Sequence, residues 1–141
     1  MPEPIAFTIP GKPIAKGRPR FTRNGHTYTP QRTQDYEAHA AQTARDAMNG
    51  ADPMDGPVFV SMTFVLKPPT AMRKAQREAA ISSRAPAETG SDVDNLAKAI
   101  LDAMNAITYR DDRQISRLSL TKEYGAEPKV EVLIQKDAAI F

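Results

Sequence analysis

Cysteine is absent from this chain of 141 residues. Its absence excludes disulfide frameworks, thiolate zinc sites and cysteine nucleophiles, and fits a reducing compartment. Histidine is almost as scarce, with only His26 and His39, neither in a partner pattern, so a histidine-rich metal centre is not expected. Long apolar runs are missing too: nothing spans a bilayer, and Met1 to Phe7 lacks the basic start and apolar run of a signal peptide. The expectation is a soluble cytoplasmic protein without a membrane partner. Acid is also missing from Pro4 to Gln34, where Lys12, Lys16, Arg18, Arg20, Arg23 and Arg32 stand alone, although the net charge is only +2. Such segregation suits a polyanion met by one end of the chain and processed by the other.

The length fits one domain, 1–141, since domains most often run ~100–150 residues. At this size a fold buries about two-thirds of the surface its unfolded chain exposes, enough for one core without staples. Pro4 to Ile9 reads as a first strand at an edge. Pro10 to Tyr28 is a loop or hairpin arm broken by Gly11, Pro13, Gly17, Pro19 and Asn24-Gly25. Thr29-Pro30 supplies an N-cap and first helical position for a helix to Met48, with Tyr36, Ala40, Ala44, Ala47 and Met48 at helical spacing and Asn49-Gly50 as its stop. Pro57 to Leu66 alternates as a half-buried strand. Residues 67–90, bracketed by Pro68-Pro69 and Ala85-Pro86 around a helix-capable Met72 to Ala80, read as a mobile excursion. A helix from Asp94 to Asn105 buries Leu96, Ala97, Ile100, Leu101 and Met104. Strands over Gln114 to Glu123 and Lys129 to Gln135 follow, and the turn 124–128 predicts that they form a hairpin. The predicted class is α+β: a single mixed sheet with helices packed on it.

Carboxylates concentrate in one stretch, at Asp92, Asp94, Asp102, Asp111 and Asp112. Like charges this close raise one another's pKa values, so a cluster ionised at neutral pH needs a metal or basic groups beside it. Asp92 and Asp94, two apart as the chain enters a helix, can address one cation, and the Asp111-Asp112 turn can supply a third carboxylate. Oxygen ligands without histidine or thiolate suit Mg²⁺ or Mn²⁺. Three aspartates suffice for a two-metal phosphodiester hydrolysis, and Lys98 falls one turn after Asp94 on the same face. Plainer roles stand beside each of these: an acidic pair complements a helix dipole, Lys98 forms an i,i+4 pair with Asp94 or Asp102, and Asp111-Asp112 are turn residues. The basic arm Lys16-Gly17-Arg18-Pro19-Arg20-Phe21-Thr22-Arg23 favours the functional reading, because flexible basic segments with an aromatic residue neutralise phosphates and stack on bases. Polymerase-β-like nucleotidyltransferases also carry Asp-x-Asp, but after a Gly-Ser pair and a helical turn. Here Gly90-Ser91 abuts Asp92, leaving no helix to hold a triphosphate.

Taken together, Asp92-Val93-Asp94-Asn95-Leu96, Lys98, Leu101-Asp102-Ala103, Asp111-Asp112-Arg113-Gln114-Ile115, Gly11-Lys12-Pro13, Lys16-Gly17-Arg18-Pro19-Arg20 and Tyr28-Thr29-Pro30 resemble the RusA-type Holliday-junction resolvases. The resemblance covers most of the chain outside 67–90. It implies a homodimeric, Mg²⁺-dependent endodeoxyribonuclease of mixed α/β fold, Mn²⁺ substituting, that resolves four-way DNA junctions by paired symmetric nicks. By position it implies Asp92, Asp94 and Asp112 as metal-binding catalytic aspartates, with Asp111 the possible substitute for Asp112, and Lys98 as the catalytic lysine. The basic groups expected on DNA are Lys12, Lys16, Arg18, Arg20 and Arg23 of the arm and Lys67, Arg73, Lys74 and Arg77 of the excursion. One departure stands out: the family often has a basic residue and proline before the first aspartate, and this chain has Gly90-Ser91. The rival readings are a non-catalytic branched-DNA-binding protein and an endonuclease for flaps or forks.

Overall fold

The computed structural model describes residues 4–17 and 20–137, with the backbone alone for 20 and 21. In order the elements are β1 (Ile5–Pro10), β2 (Arg20–Phe21), β3 (Thr27–Tyr28), α1 (Gln31–Met48), β4 (Val58–Leu66), α2 (Lys74–Ser83), α3 (Val93–Met104), a 3-10 turn (Asp112–Gln114), β5 (Ile115–Tyr124) and β6 (Lys129–Lys136). The fold is α+β: three helices and one mixed four-stranded sheet in the order β1-β6-β4-β5, with a β2-β3 ribbon apart from it. Among the described residues no helix is long and apolar enough to cross a membrane.

Alternation and helical periodicity meet on one side of the sheet. Val58, Val60, Met62 and Phe64 of β4 are fully buried there, with Val60 opposite Ile134, Met62 opposite Val132 and Phe64 opposite Val130 of β6. α1 lays Tyr36, Ala40 and Ala44 into the same core, and α3 adds Leu96, Ala97, Ile100 and Met104. A fully buried large apolar side chain is worth roughly 1.5–3 kcal/mol, against ~0–1 kcal/mol for an exposed ion pair. This layer therefore fixes where α3 sits. Pro30 takes the N-cap place of α1, one residue before the position expected for it, because its ψ of 143° is still extended. The helix stops where Asn49 and Gly50 turn left-handed, at φ 47° and 81°.

The predicted β5–β6 hairpin does not form. β5 pairs with β4 in parallel, and β6 pairs antiparallel with β4 on its other side and with β1. The physical reason lies at the turn: the Gly125 amide donates to the Leu66 carbonyl at 2.9 Å, which carries the chain over the end of β4 instead of back along β5. A parallel neighbour needs a long crossover, and α2 and α3 occupy it. The 67–90 segment is anchored on its return. The Arg84 guanidinium, at a left-handed residue of φ 52°, donates to Glu123 and Glu131, each at 2.7 Å. The Tyr124 amide then donates to the Ala85 carbonyl at 2.8 Å and the Ala87 amide to the Lys122 carbonyl at 3.0 Å.

Candidate active site

α3 presents its polar face away from the core. Asp92 is the N-cap residue, and its side chain makes no capping bond. Its backbone carbonyl does the capping work instead, accepting from the amides of Asn95 at 3.1 Å and Leu96 at 3.0 Å. The carboxylates of Asp92 and Asp94 are therefore both exposed, at a helix end where the dipole favours anions. Gly90, at φ 83°, makes the bend into this corner, a conformation that an L side chain would strain. Lys122 of β5, which sequence reasoning passed over, donates from Nζ to the Ser91 carbonyl at 3.0 Å and pins the same corner. Nothing in its strand-like surroundings marks it out beforehand. Lys98 follows one turn later, exposed, its Nζ 3.7 Å from Oδ2 of Asp102.

The second carboxylate pair sits beyond the other end of α3. Asp111 closes a capping box: its side chain accepts from the Arg113 amide at 2.9 Å, while Gln114 Oε1 accepts from the amides of Asp111 at 2.9 Å and Arg110 at 2.7 Å. The Arg113 N–H, followed by a hydrogen bond with Asp112, holds the Asp111 carboxyl below the usual range. The Asp112 amide donates to Oδ1 of Asn105 at 3.0 Å, and its carboxylate lies exposed. Behind them the buried Tyr109 hydroxyl donates to the Leu101 carbonyl at 2.8 Å. Burial raises its pKa, and the charges of Asp112, Asp102 and Asp111 raise it further.

Two independent rulers separate the pairs. Asp94 to Asn105 is roughly 16 Å of helix at about 1.5 Å per residue, and Asn105 holds Asp112. Ile115 to Lys122 is roughly 23 Å of strand at about 3.3 Å per residue, and Lys122 holds Ser91. Among the described residues no group of three or more His, Asp or Glu side chains is placed to hold a metal ion. The two carboxylate pairs of one chain therefore lie apart. Each pair is a donor set that suits Mg²⁺, which commonly takes one or two carboxylates and leaves its other positions to water and phosphate.

The basic residues divide in the same way. The ammonium of Lys16, expected on a phosphate, is instead engaged by Glu37 of α1 and lies 3.2 Å from Asp102 of α3. Burial lowers its pKa, but the bonds to Glu37 and Asp102 outweigh this and raise it. Its backbone amide donates to the Asn95 carbonyl at 3.0 Å. Gly17 is required next to it, because a Cβ there would meet Thr33 Oγ1 at 2.7 Å. Lys12, Arg23, Lys67, Arg73 and Lys74 are exposed, and Arg77 is half-buried. Arg18 and the side chain of Arg20 lie outside the described residues. His39 Nε2 is 3.2 Å from the Pro10 carbonyl, a structural tie, and His26 is exposed in the β2-β3 turn.

Comparison with known proteins brings two matches. The family model for endodeoxyribonuclease RusA matches residues 10–135. The uncharacterized protein YqaN of Bacillus subtilis (strain 168) is 34% identical over 140 residues, 96% of this chain and 98% of its own.

Proposed function

This chain belongs to the RusA family of endodeoxyribonucleases, and from that premise we propose that it is a Mg²⁺-dependent enzyme that resolves four-way DNA junctions by paired nicks. The observation that carries the reading is the exposed, uncapped Asp92-x-Asp94 with Lys98 one turn further along α3. A helix end with two unshielded carboxylates and an exposed ammonium is poorly explained as a stability device, since the Asp92 side chain does not cap and the one ion pair there, Lys98 with Asp102, is exposed at Lys98.

We further infer a homodimer, for a geometric reason. The two carboxylate pairs lie at opposite ends of α3, so α3 and its copy, antiparallel across a two-fold axis, bring Asp92 and Asp94 of one chain beside Asp112 of the partner subunit. Two equal sites then face two symmetry-related strands. An apolar flank beside α3 supports this packing: Leu118 of the edge strand β5 is 44% exposed, with Leu101 and Leu120 half-buried next to the core.

In the proposed mechanism Asp92 and Asp94, completed by Asp112 of the partner subunit, would hold Mg²⁺ or Mn²⁺, while Asp111 is committed to its cap. The bound ion supplies Lewis-acid activation of water and neutralises phosphate charge. Water attacks phosphorus in line, the P–O bond to the leaving oxygen breaks, and the Lys98 ammonium stabilises the charge that develops there. Lys12, Lys67, Lys74 and Arg77, with the exposed Arg23 and Arg73, meet the backbone. The test is a synthetic four-way junction incubated with and without Mg²⁺. Asp94→Asn is expected to abolish cleavage and retain or tighten binding, while Lys98→Ala lowers turnover and spares affinity. Full activity of Asp94→Asn removes that residue from the mechanism. Junction bound but uncut at every metal concentration replaces the enzyme with a branched-DNA-binding protein, and preference for flaps or forks in a panel of branched substrates replaces the resolvase.

A further inference from the structure

Beside the Gly90-Ser91 corner lies a cavity of about 410 Å³, inside the roughly 300–1,000 Å³ range of small-ligand sites. Its walls are the apolar side chains of Leu66, Pro69 and Pro128, Thr89 and Gly90 close one end, and Lys12 and Lys67 stand at its rim. Neither lysine has an ion-pair partner among the described residues, whereas Lys16, Arg84, Arg110 and Arg117 all do. The Thr89 hydroxyl is 3.0 Å from that of Tyr124, which fixes a polar group with unused hydrogen-bonding capacity at the apolar wall.

The neighbouring cavities give this one a direction. On one side, a cavity of about 420 Å³ shares Lys67 and adds Lys74 and Arg77. The Nε of Arg77 is buried with no hydrogen-bond partner among the described residues, a donor whose desolvation cost an anion would offset. On the other side, a cavity of about 390 Å³ shares Lys12 and adds Arg32 and Ser91, next to Asp92. The sequence along the trough is basic, apolar, basic. A nucleic-acid strand alternates in the same way, with anionic phosphates flanking an apolar, stackable base. Enzymes that extrude a base commonly hold it between apolar side chains and read its edge with a few polar groups.

We propose that this trough holds one unpaired DNA nucleotide at the branch point, its base between Leu66, Pro69 and Pro128 and its flanking phosphates on Lys12 and Lys67. The proposal rests on the reading of the α3 corner as the cleavage site and adds to it a point of strand and base selection. The 67–90 segment supplies Lys67, Pro69 and Thr89 to this trough.

The experiment is a 2-aminopurine scan through the crossover of a synthetic junction and through the matching single strand, with the full chain in metal-free buffer so that cleavage plays no part. Expected is a severalfold fluorescence rise on binding at one position next to the crossover, as that base leaves the stack. Leu66→Trp, which fills the cavity, removes this rise, and Pro69→Glu, at a loop position, does the same by charge where the first variant fails to fold. Lys12→Ala and Lys67→Ala each lower the slope of log affinity against log salt by about 1. A bound junction with no responding position, or a rise that survives both cavity variants, overturns the proposal and leaves the nuclease reading standing. A responding position in a protein that never cuts with Mg²⁺ does the reverse, and absence of DNA binding overturns both.

Discussion

Tyr36 shows how far a single side chain departs from its stretch of sequence. Periodicity places it in the α1 stripe, and it is buried there, its ring edge-on to His39 at 6.4 Å between centroids. Its hydroxyl, however, has no partner among the described residues, which no pattern of neighbours could reveal. Burial pushes the phenol up to about 12. An unfolded tyrosine loses its proton near ~10, so between these values the unfolded state binds fewer protons than the folded one, and stability falls as pH rises through the window. Tyr36→Phe is expected to flatten that alkaline loss and, by removing an unpaired buried hydroxyl, to leave stability at neutral pH unchanged or higher by ~1 kcal/mol. Urea denaturation at neutral and alkaline pH checks both, and a variant clearly less stable at neutral pH would mean that the hydroxyl has a partner after all.

Among the elements, α3 was the most legible, because Leu96, Ala97, Ile100 and Met104 repeat at helical spacing and its bounds shift by only one residue from Asp94–Asn105 to Val93–Met104. The same spacing carries a lesson about its ends. A helix of that length moves the chain roughly 16 Å, and Asn105 keeps Asp112 at its far end, so closeness in sequence was no guide to closeness in space. The arm was less legible still. Lys16 reads as one of several basic residues, but its partners, Glu37 and Asp102, come from two helices whose packing only the core determines. Asp102 also draws Lys98, so it couples arm and helix. Asp102→Asn should cost stability about 1 kcal/mol or less, since these side chains are partly exposed, and lower single-turnover cleavage about tenfold by loosening Lys98. Unchanged cleavage with the same stability loss would confine Asp102 to holding the arm.

At the scale of the molecule, fold class and strand positions followed from alternation in β4 and β6, and strand order did not. A short turn such as 124–128 ordinarily joins paired neighbours, whereas here it carries the chain across the end of β4, so that β5 and β6 flank that strand on opposite edges. If the catalytic carboxylates meet across a two-fold axis, Asp94→Asn and Asp112→Asn chains, each inactive alone, should regain one intact site when mixed and refolded together. The expected product is singly nicked junction at up to about half of the dimers, as statistical pairing of two chain types requires. No recovery in a mixture shown to contain heterodimer would place every catalytic carboxylate within one chain.

The pairing of β1 with β6 has a further consequence for how the protein is made. Residues 5–10 meet residues 129–134, so β1 waits without its sheet neighbour while most of the sequence is translated, and contacts of such long range close slowly. Until β6 clears the ribosome, the layer beneath α3 lacks Val130, Val132 and Ile134, and the nascent chain carries its acidic motif on a helix with no finished floor. The sheet beneath α3 is thus completed only after nearly the whole described polypeptide has been synthesised.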